Sequence, residues 1–411
     1  MPLLLGAAAG DWNLRGGVLA LTGAMTVDDA AADPRFKTLA ARDVTLRLAD
    51  GTITAGGTLY EPTKAVKVAD VRIVHRLSAG AGTADLTVPG IVFTKDVQPD
   101  LLTRLTFGVV AEVRATVTGN AHIGWTPEGV TSTGTFATKD AALAAAFGPV
   151  SGLSTTIHFS DLLSLASAPG LVATVKTINP GIAVTDGTIV YQLLPEQRVQ
   201  IDSGVWPFAG GTMTLLPTTL DFAQAGQRRL TFRLDGVAAD QFLQQFDFKN
   251  LDATGIFDGE LPMIFDDTGG RIEGGRLTVR PGGGSIAYVG DLTQKDLGIW
   301  GNIAFQALKS LRYRNLTISM NGPLAGEMVT AVRFAGVTQG EGAKSNFIVR
   351  RLQKLPFVFN ITIKAPFRGL LDSAQSFYDP SRLLPQLIDR ERRKAVIQPP
   401  ASAPVPQPKQ D

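Results

Sequence analysis

Enzymatic chemistry needs nucleophiles, acids, bases or metal ligands at workable spacing, and this chain offers few. Its three histidines, His75, His122 and His158, are scattered without His-x-His or His-Glu-x-x-His spacing, so they read as strand residues rather than metal ligands. Cysteine is absent, which removes thiolate nucleophiles, Cys-ligated metals and disulfides together. Gly282-Gly283-Gly284-Ser285 is the nearest approach to a phosphate loop, but no Gly-Lys-Ser/Thr follows. The same stretch fails as a nucleophile elbow, because Ala287 stands where the last Gly of Gly-x-Ser-x-Gly would be. It reads as a plain turn. Asp258, Glu260, Asp266 and Asp267 cluster in sequence without the one-three-five spacing of a calcium loop, and Asp266-Asp267-Thr-Gly-Gly reads as a hairpin turn. No cofactor, no metal and no catalysis is expected.

What the sequence does carry is surface pattern. Val44-Thr-Leu46-Arg-Leu48, Leu230-Thr-Phe232-Arg-Leu234, Leu277-Thr-Val279, Leu316-Thr-Ile318-Ser-Met320 and Phe357-Val-Phe359-Asn-Ile361-Thr-Ile363 alternate apolar and polar residues. Successive strand side chains point to opposite faces, so each run makes one apolar and one polar face. Asp50-Gly51, Asp235-Gly236 and Asn321-Gly322 follow such runs, and these pairs favour tight hairpin turns because both residues tolerate positive φ. An antiparallel meander of many short strands is expected. A loose repeat, seen in Asp186-Gly187-Thr-Ile-Val-Tyr191 and Gly210-Gly211-Thr-Met-Thr-Leu215, suggests growth by addition of hairpins. Helical signals are few: Ala239 to Phe246, one or two turns at Asp140–Phe147 and Phe159–Leu165, and an amphipathic segment over 376–398.

Composition agrees. Charged residues are 18% of the 411, against about 25% typically, and Gly (44) and Pro (24) are plentiful, which suits strands and turns. A net charge of +2 supplies no field for nucleic acid, and none is expected as a partner. Residues 1–375 read as one continuous β domain with a sub-boundary near 200, and the Pro-rich tail 399–411 cannot build a core. The N-terminus is apolar but lacks a basic n-region, so an export signal is expected outside this chain. Many one-sided strands and few helices leave two solutions: two sheets packed as a sandwich, or one sheet curled around an apolar trough. On the residues alone the sandwich is the commoner.

A family resemblance changes that preference. Thr254-Gly-Ile-Phe-Asp-Gly-Glu-Leu-Pro-Met263, then Gly270-Arg-Ile-Glu-Gly-Gly-Arg-Leu-Thr-Val279 and Pro281-Gly-Gly-Gly-Ser-Ile-Ala-Tyr288, resemble the C-terminal region of the YdbH-like family, relatives of the AsmA and TamB envelope proteins. Trp206-Pro-Phe-Ala-Gly-Gly211 and Ile178-Asn-Pro-Gly-Ile182 fit the same order upstream, and the resemblance runs from about Gly51 to Leu371. It implies a mainly β fold: an elongated, twisted antiparallel sheet curled into an apolar groove, with a few short helices. It also implies a periplasmic body anchored to the inner membrane by an N-terminal segment absent here. The implied function is non-enzymatic transport of phospholipid between inner and outer membrane, with a small outer-membrane lipoprotein as partner. A dicarboxylate-transport label attached to some members finds no support in the residues.

On that resemblance the groove lining is expected to include Leu230, Phe232, Leu234, Leu277, Val279, Leu316, Ile318, Met320, Phe357, Phe359, Ile361 and Ile363. The alternative is a non-catalytic β-rich envelope scaffold, in which the same residues would be an ordinary core.

Overall fold

Alternation along the chain becomes alternation across a sheet. The computed structural model describes residues 3–106, 109–145, 148–179, 183–223, 226–245, 251–266, 269–288, 311–324, 326–336, 338–339 and 358–366. The amphipathic segment and the Pro-rich tail expected beyond residue 375, together with Asp267 and Phe357, lie outside them.

Among the described residues 21 strands form one antiparallel sheet. The order is almost entirely that of the chain. Leu3–Arg15 pairs with Val18–Asp29, and pairing continues through Leu39–Ala49, Thr52–Glu61, Val66–Arg76, Ala81–Phe93, Val110–Thr126, Gly129–Ala145 and Gly148–Asp161. From there it runs through Leu171–Ile178, Val184–Leu194, Arg198–Phe208, Gly211–Leu215, Arg228–Ala238, Ile256–Asp266 and Gly269–Val279. Asn315–Pro323, Glu327–Ala335 and Val358–Pro366 follow, and the short strands Ala166–Ser167, beside Gly148–Asp161, and Thr218–Asp221, beside Arg198–Phe208, complete the 21. The sheet does not close on itself.

Register shifts interrupt the ladder in neighbouring strands, at Gly23/Met25, Ala41/Thr45, Val88/Ile91, Arg114/Val117 and Thr138/Ala141. Each extra residue bends its strand and adds local twist. With Leu59/Tyr60, the first two shifts stand in successive pairings, and the last three stand in successive pairings; the unshifted pairing of Val66–Arg76 with Ala81–Phe93 separates the two runs.

Three expectations need correction. Within the expected helix Asp140–Phe147 the described residues, to Ala145, are strand: they close Gly129–Ala145, and Asp140, at φ 56, sits in the bulge beside Ala141. The alanines there favour a helix in isolation, but pairing on both sides overrides that preference. Phe159–Leu165 is a strand end followed by one turn, closed by Leu165 N–H donating to the Leu162 carbonyl at 3.2 Å. Asp235-Gly236 is a bulge inside Arg228–Ala238, not a hairpin turn, and Asp186-Gly187 and Asn321-Gly322 also lie within strands. Asp50-Gly51 is the turn expected, with both φ positive (49° and 69°). The helix expected at Ala239 is present as Ala239–Gln245.

Arg280 locks the Asp235-Gly236 bulge. Its guanidinium donates to both oxygens of Asp258 at 2.7 Å and to Asp235 at 2.7 Å, while the Gly236 N–H donates to Asp258 at 2.8 Å. At the other end of the sheet Asp29 does the same for the connection 30–38. Its carboxylate, shielded from solvent, accepts from the Arg35 side chain at 2.8 Å and from the Arg35 and Ala31 amides. Those hydrogen bonds, Arg35 first, hold its pKa down at about 2. A lowered folded pKa means the stabilisation is complete above the carboxyl's unfolded value and is lost as pH falls through about 2. Asp29→Ala is therefore expected to cost about 1.5–3 kcal/mol at neutral pH. The difference in melting temperature from the unchanged chain should shrink towards zero as the pH is lowered to about 2.

Candidate functional site

Cross-strand pairs put residues on a common face, so the register traces which side chains share one. Trp12 stands opposite Leu21, Leu21 opposite Leu46, Leu46 opposite Ala55, Ala55 opposite Ile73, Ile73 opposite Ala84 and Ala84 opposite Ile123. One residue pair along, Gly134 meets Phe159 and Phe136 meets Ile157. The same face continues from Thr155 to Ala173, Ile189, Gly204, Leu215, Phe232 and Leu261. Beyond that, Gly259, Leu277, Ile318, Val332 and Ile361 follow in turn. One apolar face thus crosses the whole sheet.

The opposite face is polar. Thr214, Arg233, Glu260, Arg276 and Ser319 form a ladder of direct pairs across it, in which neighbouring opposite charges contribute about 0.2–1 kcal/mol each. Two shallow depressions lie mainly on this side. One is lined largely by Thr116, Thr118, Lys139, Ser154, Thr156 and His158, and the other includes Thr22, Arg47, Thr54, Asp70 and Arg72. Hydroxyls and charges make neither a place for a large apolar ligand.

Burial divides the apolar face into two sections. From Val18 to Phe159 most of its large side chains are half-buried: Leu19, Leu21, Leu46, Leu48, Ile53, Ile73, Leu86, Ile123, Phe136 and Phe159 retain solvent contact, while Val44 is buried and Val88 and Ile91 form a small core with Ala69, against which Leu86 and Phe136 pack. On the edge strand, Trp12 is 70% exposed and Leu14 63%. From Trp206 to Val279 the face is buried, and beyond it Leu316 and Phe334 are buried while Ile318, Met320 and Val332 are half-buried. Trp206, Met213, Leu234, Leu261, Met263 and Ile272 are each less than 2% exposed or close to it. Two elements cover this second section. The helix Ala239–Gln245 sets Phe242 edge-on against Phe208, ring centres 6.1 Å apart. A separate four-stranded sheet of Leu251–Thr254, Gly284–Tyr288, Leu311–Tyr313 and Thr338–Gln339 buries Ala253, Leu311 and Tyr313 in the same cluster as Val279, Leu316 and Phe334. Burial pushes the Tyr313 hydroxyl up to about 12, and it donates to the Thr254 carbonyl at 2.7 Å.

The expected lining residues fall in this covered section. Leu230, Phe232, Leu234, Leu277, Val279 and Leu316 are buried, and Ile318 and Met320 are half-buried against the same cluster. In register Phe359, Ile361 and Ile363 stand opposite Phe334, Val332 and Thr330. The register brings Leu230, Phe232, Leu234, Leu277, Val279, Leu316, Ile318 and Met320 onto one face; Phe357 is outside the described residues. Sequence reasoning missed the solvent-accessible section. Val44-Thr-Leu46-Arg-Leu48 carried the signal, but its continuation through Ile53, Ile73 and Ile123 rests on pairing that no single run displays.

Among the described residues the three histidines do not converge. His75 accepts a hydrogen bond from Trp125 Nε1 at 3.1 Å and stacks on its ring; His122 meets Asp85 at 2.7 Å; His158 meets Thr135 at 3.2 Å. They are three separate surface contacts. Among the described residues no group of His, Cys, Asp and Glu could hold a metal ion, and no helix is long and apolar enough to cross a membrane.

A family model described as YdbH-like, intermembrane phospholipid transport protein YdbH, matches residues 1–388. No curated protein and no solved structure matches the chain.

Proposed function

The chain belongs to the YdbH-like family of intermembrane phospholipid transport proteins, and from that premise we propose that its apolar face carries phospholipid acyl chains while head groups stay in water. The observation that carries this reading is the half-buried section from Trp12 to Phe159. Most of its large apolar residues keep solvent contact, on either side of a small core at Ala69, Val88 and Ile91, and a chain does not normally leave so much apolar surface uncovered. Strands lie about 4.8 Å apart, so the nine strands of this section extend over about 40 Å across the strand direction. Each methylene moved from water onto such a strip is worth about 0.8 kcal/mol, and sliding from one strand to the next exchanges like contacts for like. Transport along the strip then needs lining rather than a specific site.

The two runs of bulges support a curled sheet, because extra residues in adjacent strands bend them. The curl would place the apolar face inside a groove and the Arg–Glu–Arg ladder outside. In this reading Leu230, Phe232, Leu234, Leu277, Val279, Leu316, Ile318, Met320, Phe359, Ile361 and Ile363 belong to the same lining at its second, covered section. A periplasmic location, an inner-membrane anchor, a lipoprotein partner at the outer membrane and the absence of enzymatic activity complete the proposal.

The test is native mass spectrometry of the purified chain with lipid extraction. Bound phospholipid is the expected result. A folded, lipid-free protein would leave the envelope-scaffold reading in front.

A further inference from the structure

The four-stranded sheet that covers the second section is built from the ends of main-sheet strands. Leu251–Thr254 runs through Gly255 into Ile256–Asp266; Gly269–Val279 runs through Arg280–Gly283 into Gly284–Tyr288; Leu311–Tyr313 runs through Arg314 into Asn315–Pro323; and Glu327–Ala335 runs through Gly336 towards Thr338–Gln339. The pairing order of the small sheet repeats that of its four parent strands. All four strands turn the corner side by side, so the corner is a straight line of short connections. Glycine occupies three of them, at φ +122 (Gly255), +68 (Gly283) and +67 (Gly336). There is no room for anything larger at the centre of the line: a Cβ on Gly283 would lie 2.0 Å from the Tyr313 carbonyl oxygen.

We propose that this small sheet is a hinged flap that lifts from the apolar face, letting acyl chains pass from the open section onto Val279, Leu316 and Phe334. The inference rests on the lipid reading above. The flap keeps its own backbone ladder and the Tyr313–Thr254 hydrogen bond whether closed or open, since all of these lie within it. Described contacts made across the corner are chiefly apolar, such as Tyr313 edge-on to Phe334 at 5.8 Å. Apolar contacts are non-directional, so acyl chains can replace those that the flap gives up. Rotation is absorbed at residues whose backbone is least restricted by side chains.

The chain has no cysteine, so an introduced pair is unambiguous. Tyr313→Cys and Phe334→Cys joined by a short bis-maleimide clamp the flap shut. A photo-reactive p-benzoylphenylalanine replaces Leu46 in the open section or Leu316 beneath the flap, with vesicles of phosphatidylethanolamine and phosphatidylglycerol as the probe. Lipid should label both positions before clamping; clamping should reduce labelling at Leu316 at least several-fold and leave Leu46 unchanged. Labelling at Leu46 alone in the unclamped protein, or at Leu316 regardless of the clamp, would overturn the flap while the lipid reading stands. No labelling at either position would overturn the lipid reading itself. If the Leu316 variant does not fold by circular dichroism, Val279, beside the same corner, takes its place.

Discussion

Leu46→Asp combined with Ile73→Asp is expected to abolish phospholipid co-purification from a protein that still folds. Both residues lie on the apolar face, linked through Ala55 by direct cross-strand pairing, and both keep solvent contact. A carboxylate there can remain hydrated, so the folded state escapes most of the penalty for burying charge. An acyl chain crossing the same point has no such escape. It must leave the strip or desolvate two carboxylates, either of which outweighs the roughly 0.8 kcal/mol gained per methylene. Phe232→Asp makes the opposite case. Phe232 is 3% exposed, and its replacement should unfold or severely destabilise the chain whether or not lipid is the ligand. Lipid extraction followed by mass spectrometry, with circular dichroism as the fold check, reads both. If the Leu46/Ile73 variant retained its lipid, the strip would not be the carrier surface.

The second large effect concerns Trp206. The indole lies flat across two neighbouring strands, where a Cβ on Gly187 would sit 1.9 Å from its Nε1 and one on Gly204 would sit 2.5 Å from its ring. Gly187 is not in the left-handed region that favours glycine, so its requirement is purely steric. Gly187→Ala must expel a side chain that is 1% exposed, and overpacking of this kind costs about 1–3 kcal/mol or more. We expect a loss at the upper end of that range, measured by chemical denaturation, with altered tryptophan fluorescence. Trp206→Ala should cost about 3–5 kcal/mol through the cavity it leaves. The informative variant is the double one: Gly187→Ala with Trp206→Leu should be more stable than Gly187→Ala alone. If the two losses simply added, the slot would not be the cause.

These two sites show what a sequence can and cannot display. One-sided strands were legible at Val44–Leu48 and Leu316–Met320, because alternation is a local property set by the pleat. The runs Leu230–Leu234, Leu277–Val279 and Leu316–Met320 were each legible as one face for the same reason, and by register they share a side. Exposure was not legible. The strongest alternation marks the most completely buried strands, so the expected lining fell in the covered section, while the accessible one carries weaker patterns interrupted by bulges. Asp235-Gly236 looked like a turn because its bulge depends on Asp258 and Arg280, 22 residues apart from each other and from a different hairpin. The need for Gly187 was equally hidden, since that glycine answers to Trp206 on the neighbouring strand. The small sheet left no readable trace, because its strands of two to five residues are too short for periodicity to register.

The order of pairing has one more consequence, for how the molecule is made. Nearly every strand pairs with the strand that precedes it in the chain, so few contacts must wait for a distant segment, and loop closure stays short at each step. Such a chain can assemble vectorially, one hairpin at a time, as it emerges from a ribosome or a translocation pore, each finished strand serving as template for the next. The growing end is always a raw β edge, however, with the apolar strip behind it still unoccupied. The hazard during biogenesis is therefore intermolecular edge pairing rather than misplaced topology, and because the sheet stays open the last strand inherits that edge.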